Sequence, residues 1–474
     1  MAVEVLLPGS PRQFHIVGVG GAGMSAIASV LLEMGHRVSG SDMRASSVLE
    51  RLGASGVRTF VGHDAANLGG AEVVGYSAAI RPDNVELVES RRRGLPVLRR
   101  AELLAAICAT GKALAVSGTH GKTTTTAMLA RAMDAAGMKP SWLVGGDPMG
   151  RVPSAHWSAG EWVVVEADES DGTFLELGAY GAIVTSIEAD HLDHYASVED
   201  LEAAFKTFVG NVPGPRVVCL DDPGGAQLAA AGGAVVGYGT APGASYEITD
   251  IELAGGASSF RARGRGKDLG RFELAVPGVH NVRNAVAALA MAMEVGASPG
   301  AARRALASYE GVSRRFERRG SKDGVSYIDD YAHLPGEVQA TLAAARREHP
   351  GRLVAVFQPH RFSRTQALWE KFAVAFEGAD VLVLTGIYPA GEQERPGVSG
   401  RLVEQAVRAA RPGLRVEYAE SRPELVRLLR DLLCPGDLCL TMGAGDVTTL
   451  PDELMEAPVG LNGRLSMGER GDCR

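Results

Sequence analysis

Lys122, Thr123 and Thr124 follow directly on Gly118, Thr119 and Gly121 in ALAVSGTHGKTTTT, residues 113–126, a set of residue types suited to holding a polyphosphate. Glycine lets backbone N–H groups approach phosphate oxygens with no Cβ between them, a lysine ammonium reaches the outer phosphates, and a threonine hydroxyl can ligate Mg2+. The general pattern G-x-x-x-x-G-K-[ST] has a glycine where this chain has Val116, so the generic motif is incomplete. After the apolar run WVVVE comes an acidic cluster, Glu166, Asp168, Glu169 and Asp171, at a place where Mg2+ would be held. A solvated acidic loop is the plainer alternative. His191 and His194, interleaved with Asp190 and Asp193, follow the next apolar run and suit a site better than a core.

Other constellations flank this centre. Gly18, Gly20 and Gly23 form G-x-G-x-x-G, with Asp42 roughly 20 residues on, the pattern of a dinucleotide site with a ribose-binding acid. His280, Asn281 and Asn284 open a long Ala-rich stretch, where Asn281 could equally be a helix N-cap. Three polar groups lie in the last third of the chain: Asp329, Asp330, Tyr331 and His333; His360, Arg361 and Arg364; and Gly443, Gly445 and Asp446.

The elements that must position these residues can be read from apolar runs between turns. Ala113–Val116, Trp162–Glu166 and Ala182–Ser186 read as strands ending at the lysine loop, the acidic cluster and the histidines. Val325–Ile328, Leu353–Phe357, Val381–Leu384 and Leu438–Thr441 alternate with helical stretches, which predicts another parallel sheet with its ligands at the strands' carboxyl ends. Residues 216–274 read as short alternating strands with little chemistry, and the basic run 91–93 as a solvated helix end. A chain of 474 residues exceeds one core, so an α/β protein of three domains is expected: 1–108, Rossmann-like; 109–312, P-loop ATPase-like; and 313–474, Rossmann-like with a short disordered tail.

Composition narrows the class. A net charge of −8 and 5% aromatic residues argue against nucleic acid as the main partner. No apolar run approaches the ~20 residues of a membrane span, and MAVEVLLPGSPRQF lacks an export-signal pattern, so a cytoplasmic protein is expected. The five cysteines show no CxxC pair, which points to neither disulfides nor structural zinc.

Taken in order, VGVGGAGMSAIA with SGSD, GTHGKTTTT, EADESDGTF, EADHLDHY, VPGVHNVRNA, GVSRRFE, DDYAHLPGE, FQPHRFSRT and MGAGD resemble the motifs of the Mur ligase family over nearly the whole chain. The resemblance accounts for Val116, because the family's ATP loop lacks the first glycine. It also replaces NAD in the first domain by a uridine nucleotide. What it implies is an ATP- and Mg2+-dependent ligase of peptidoglycan precursor synthesis, taking UDP-N-acetylmuramate and L-alanine and working as a monomer or weak homodimer. By the same resemblance Gly20, Gly21, Gly23, Met24, Ser25, Asp42 and Ser77 hold the UDP-sugar. Gly118, Thr119, Gly121, Lys122, Thr123, Thr124, His280, Asn281, Asn284, Arg315 and Asp329 hold ATP, while Thr123, Glu169 and His191 surround Mg2+. His360, Arg361 and Arg364 meet the carboxylate and the amino acid. Lys122, Glu169, His191, His333 and Arg361 are the expected catalytic residues, with His191 or His333 as the base for the amine. Leu334 stands where the family pattern has a second histidine. Lys206 is read as an ordinary helix lysine, and the third domain is expected to rotate onto the second when ATP binds.

Three other readings compete. A sister ligase attaching a recycled tripeptide to the same nucleotide would share almost every motif. An NAD-dependent oxidoreductase accounts for Gly18 to Asp42 but leaves the lysine loop unexplained. A regulatory P-loop NTPase would hydrolyse ATP without forming an amide.

Overall fold

The computed structural model describes residues 11–149, 153–188, 195–254 and 256–456. The chain divides into two compact units, residues 1–312 and 313–474. The first unit carries two sheets. Strands β1 (Gln13–Val17), β2 (Arg37–Asp42), β3 (Arg58–Val61), β4 (Val73–Tyr76) and β5 (Val97–Arg99) pair in parallel in the order β3-β2-β1-β4-β5. The chain runs outward one way from β1 and then returns to its other side at β4. That reversal is a topological switch point between β1 and β4, and Gly18 and Ser77 follow the carboxyl ends of these two strands.

The second sheet has ten strands, β6 (Lys112–Ser117), β7 (Ser141–Leu143), β8 (Ala155–His156), β9 (Trp162–Glu166), β10 (Gly181–Val184), β11 (Arg216–Cys219), β12 (Val236–Gly239), β13 (Tyr246–Ala254), β14 (Ala257–Gly264) and β15 (Lys267–Leu274). β6 lies between β9 and β10, parallel to both, so the lysine loop and the acidic cluster leave neighbouring strands at the same end. Residues 216–274 are more regular than the sequence suggests. Two parallel strands and the helix Pro223–Ala230 precede an antiparallel ribbon, β13 to β15, of eight- and nine-residue strands.

The helices Lys122–Ala135 and Val279–Glu294 pack together on one face of this sheet. The second is buried along almost its whole length, because Ala285, Ala287, Ala288, Ala290 and Ala292 let it lie close to its neighbours. Core residues of the first sheet continue into Leu143, Ala155 and Val163 of the second, and this shared core is why the two sheets form one unit.

The second unit is a six-stranded sheet of β16 (Glu317–Lys322), β17 (Val325–Asp330), β18 (Leu353–Phe357), β19 (Val381–Thr385), β20 (Arg415–Ala419) and β21 (Leu438–Met442), ordered β16-β17-β21-β18-β19-β20. Only the edge strand β16 is antiparallel. LVAVF, VLVLT and LCLTM are buried throughout, as strands covered by helices on both faces must be. Cys108, Cys219 and Cys439 are free and buried. Among the described residues no helix is long and apolar enough to cross a membrane.

Candidate active site

Side chains cap most helices of the first unit: Ser46, Ser197, Asp222 and Ser298 each accept a backbone N–H of the first turn. The helices after the two glycine loops differ. Gly21 and Gly121 provide no side-chain cap, and neither helix has an acid in its first turn. Their leading N–H groups have no side-chain partner at the cap, the arrangement in which helix N-termini can accept an anion.

At the lysine loop, Gly118 (φ +131°) and Gly121 (φ +79°) take backbone conformations that side chains rarely adopt. A Cβ at Gly121 would lie 2.5 Å from Asn284 Oδ1, and one at Gly118 would collide with Thr185 Oγ1. Asn284 thus sits directly over the loop, with Asn281 one turn earlier donating to Pro277 O at 2.7 Å. Asn281 is not the helix N-cap, the plainer alternative for it, since Gly278 occupies that position. Lys122 Nζ donates to Gly118 O (2.7 Å) and meets Glu169 Oε1 at 2.7 Å, with Glu169 fully buried. Burial works against the ammonium, but Glu169 and Asp168 outweigh it and raise its pKa, so Lys122 is a fixed cation.

The Thr123 hydroxyl reaches Glu166 Oε1 (3.2 Å), whose other oxygen accepts Gly145 N–H at 2.9 Å. Burial raises the Glu166 pKa despite Lys122 nearby. For Asp168 burial also works upward, but Lys122, Ser170 and Arg100 together pull it below the usual carboxylate value. Hydroxyl and carboxylate oxygens on adjacent strand ends are the hard ligands Mg2+ takes. Among the described residues no group of three or more His, Cys, Asp or Glu converges to hold a metal ion. The family pattern pairs Thr123 with Glu169 and His191. The described geometry brings it to Glu166 instead, and His191 lies outside the described residues. Lys206 is exposed on its helix.

In the first sheet Asp42 Oδ2 accepts Gly20 N–H at 2.9 Å, so this acid braces the glycine loop. Gly18 (φ +81°) packs against Ser77, where a Cβ would come within 3.1 Å of the serine Cβ. Gly21 is different. Its φ of −71° suits any residue, and an added Cβ meets nothing nearer than Gly18 O at 3.7 Å. Among the described residues nothing requires glycine there, so the missing side chain leaves room at the loop. The Met24 side chain is buried in the core, and Ser25 Oγ bonds Ala22 O at 2.9 Å, so neither projects over the loop.

The second unit gathers its polar groups at the carboxyl ends of β17, β18 and β21. Asp329 is buried between Thr441 Oγ1 and Thr448 Oγ1, both at 2.6 Å. Asp330 accepts Phe316 N–H and Ala332 N–H, both at 2.7 Å, and burial pushes it up to about 6. Arg314 and Arg315 lie over the Tyr331 ring, 4.8 and 5.0 Å from its centroid. Arg314 and Phe316 both have positive φ, so the turn presenting Arg315 is strained.

His333 Nδ1 lies 3.0 Å from Tyr331 O and so donates to that carbonyl, which makes Nε2 its proton-accepting nitrogen. His360 differs: Arg364 Nη1 approaches its Nδ1 at 3.3 Å, its ring stacks on Tyr388 at 5.6 Å, and burial with nearby His333, Arg364 and Arg361 pushes it down to about 3. His360 is therefore neutral and carries its proton on Nε2. Arg361 (φ +66°) has a buried Nε with no hydrogen-bond partner among the described residues. Three contacts of the site have no counterpart in the sequence pattern: Glu166 as the partner of Thr123, Tyr388 as the wall behind His360, and Arg100 beside Gly23. Glu166 stands within a conspicuous acidic cluster, whereas the other two carry no motif.

An uncapped glycine loop with a fixed lysine and adjoining carboxylates lies on one sheet of an α/β unit whose other sheet carries a second uncapped glycine loop. Three family models match in succession: the Mur ligase family catalytic domain at residues 13–112, the Mur ligase middle domain at 116–292 and the Mur ligase glutamate ligase domain at 314–445. The chain belongs to the Mur ligase family. A UDP-N-acetylmuramate--L-alanine ligase of Solidesulfovibrio magneticus is 45% identical, covering 95% of this chain and 99% of its own. One of the same name from Pelotomaculum thermopropionicum is 44% identical, over 94% and 97%. The solved UDP-N-acetylmuramate-alanine ligase of Thermotoga maritima matches with a TM-score of 0.80 at 28% identity, over 94% and 98%. A murein peptide ligase from Psychrobacter arcticus, at 23% identity and TM-score 0.70 over 94% and 98%, shares the fold.

Proposed function

We propose that this chain joins L-alanine to the lactyl carboxylate of UDP-N-acetylmuramate in a reaction driven by ATP, as a cytoplasmic enzyme of peptidoglycan precursor synthesis. The observation that carries the reading is the 45% identity to a ligase of that name across almost the full length of both chains.

A carboxylate and an amine do not condense in water until the carboxylate is activated. In the proposed reaction a carboxylate oxygen attacks the γ-phosphorus of ATP and ADP leaves. The alanine nitrogen then attacks the acyl carbon of the resulting acyl phosphate, and inorganic phosphate departs with the former carboxylate oxygen. Phosphoryl transfer is limited by positioning and by charge. Lys122 offsets the repulsion between an anionic nucleophile and the triphosphate, and the open N–H groups after Gly121 hold the phosphates. Mg2+, held by Thr123 and the carboxylates of the 166–169 cluster, would neutralise the phosphates further. Asn281 and Asn284 flank the nucleotide; Gly20 and Gly21, on the loop that Asp42 braces, hold the UDP-sugar.

In the second unit, neutral His360 donates from Nε2, Arg361 and Arg364 bind carboxylate, and His333 accepts the amine proton at Nε2. The domain roles assigned to residues 1–108, 109–312 and 313–474, and a monomeric or weakly dimeric state, belong to the same proposal. Release of ADP should depend on UDP-N-acetylmuramate and, in a panel of the twenty amino acids and the recycled tripeptide, be largest with L-alanine. Mass analysis should find the amide. Preference for the tripeptide, or ADP without amide, would refute the assignment.

A further inference from the structure

Arg100 opens the nine-residue helix Arg100–Cys108 and follows β5, placing a cation at the positive end of a helix dipole, the unfavourable end for it. Its neighbour Arg99 is matched by Glu102 and Glu176, at 3.4 and 3.5 Å. Arg100 has only Asp168 within ion-pair range among the described residues, Nη2 to Oδ2 at 3.6 Å, and its guanidinium makes no hydrogen bond to them. Its other terminal nitrogen points at the first-sheet glycine loop, where a Cβ at Gly23 would come within 3.1 Å of Nη1 and 3.4 Å of Cδ. Glycine at position 23 therefore gives Arg100 room.

The guanidinium stands between the uncapped loop that Gly21 leaves open and the acid cluster of the lysine loop, with donors to spare on both sides. A planar fork at a loop of free backbone N–H groups is the arrangement that grips a diphosphate. We propose that Arg100 is a direct ligand of the sugar nucleotide's diphosphate, the charged complement to the N–H groups of the Gly18–Gly23 loop. This rests on the reading of the first sheet as the UDP-sugar site. The cation bound there also faces Asp168, so it lowers the repulsion between the incoming dianion and the acidic cluster beside the ATP loop.

The test is the affinity of UDP and of UDP-N-acetylmuramate for wild type, Arg100→Lys and Arg100→Ala by calorimetry, with MgATP affinity measured separately on each. Loss of a charge-assisted bidentate contact predicts a weakening of about tenfold or more for both uridine ligands in Arg100→Ala, and about threefold in Arg100→Lys, which keeps the charge but not the fork. MgATP affinity should stay within about twofold. Unchanged UDP affinity would overturn the proposal. So would a parallel loss of UDP and MgATP, which would make the Arg100–Asp168 pair a strut. If Arg100→Ala fails to fold, Arg100→Lys decides by the same readings. Wild-type protein that binds neither uridine ligand would instead overturn the site reading itself, and Arg100 with it.

Discussion

The chain uses strand, glycine loop and helix twice in its first unit, after β1 and after β6, and the two copies differ in what surrounds them. Both helices begin without a side-chain cap. The loop after β6 has Lys122, a threonine hydroxyl and buried acids, and its glycines are demanded by the protein: Asn284 and Thr185 fill the space a side chain would need. The loop after β1 has no lysine, is braced by Asp42, and keeps at Gly21 a glycine that nothing among the described residues requires. A glycine loop specifies that an anion can bind. The neighbouring charges decide whether it is merely held or also reacts.

The largest effect should come from removing the charge that makes one loop reactive. Lys122→Ala should lower ADP release about a thousandfold or more while leaving UDP-N-acetylmuramate affinity within about twofold. Simultaneous loss of both would erase the distinction between the loops. Next come paired glycine substitutions. Gly118→Ala should destabilise the first unit by about 2 kcal/mol or more, read as a denaturant midpoint, because both its φ and its contacts forbid a side chain. Gly21→Ala should leave that midpoint unchanged yet weaken UDP-sugar binding about tenfold. Equal destabilisation by the two would show that Gly21 is structural after all.

A smaller effect sets the first sheet against the second unit through pH. Burial works to raise the Glu86 pKa, but the His15 imidazole 3.5 Å away and hydrogen bonds from Ser41 and Asn67 overcome it and hold it down at about 2. Its stabilisation is thus complete above the ordinary carboxylate range and is lost as pH falls toward 2. The stability difference between wild type and Glu86→Gln should shrink steadily from pH 5 to pH 2. Asp330, raised to about 6 by burial, has the opposite sign. The unfolded chain releases that proton first, so its contribution falls as pH rises from about 4 to about 6. The difference between wild type and Asp330→Asn should follow that slope. Parallel slopes for the two variants would contradict these environments.

Much of the fold and part of the site are legible in the amino-acid sequence, for physical reasons that vary by element. Short, β-branched apolar runs such as LVAVF and WVVVE favour buried strands, and GKTTTT after a strand begins a helix, so the sheets and the lysine loop follow from local pattern. Residues 216–274 fold more regularly than their sequence suggests because a polar, Gly-rich ribbon carries a weak period-two signal. Motif spacing marks Asp42 as a ribose ligand but says nothing about which way a carboxylate turns, and here it turns toward Gly20. The Glu166–Thr123 contact and the stacking of Tyr388 on His360 depend on distances between strand ends, which no linear pattern encodes. Leu334 is buried at the start of the helix Pro335–Glu348, so where the family pattern has a second imidazole this chain packs an apolar side chain.

The central claim is that the two loops hold different ligands at once, and simultaneous titration tests it most directly. Calorimetry of UDP-N-acetylmuramate into the protein, alone and saturated with a non-hydrolysable ATP analogue and Mg2+, should give one site per chain in both cases, with no competition. Displacement of one ligand by the other, or a shared single site, would contradict the account.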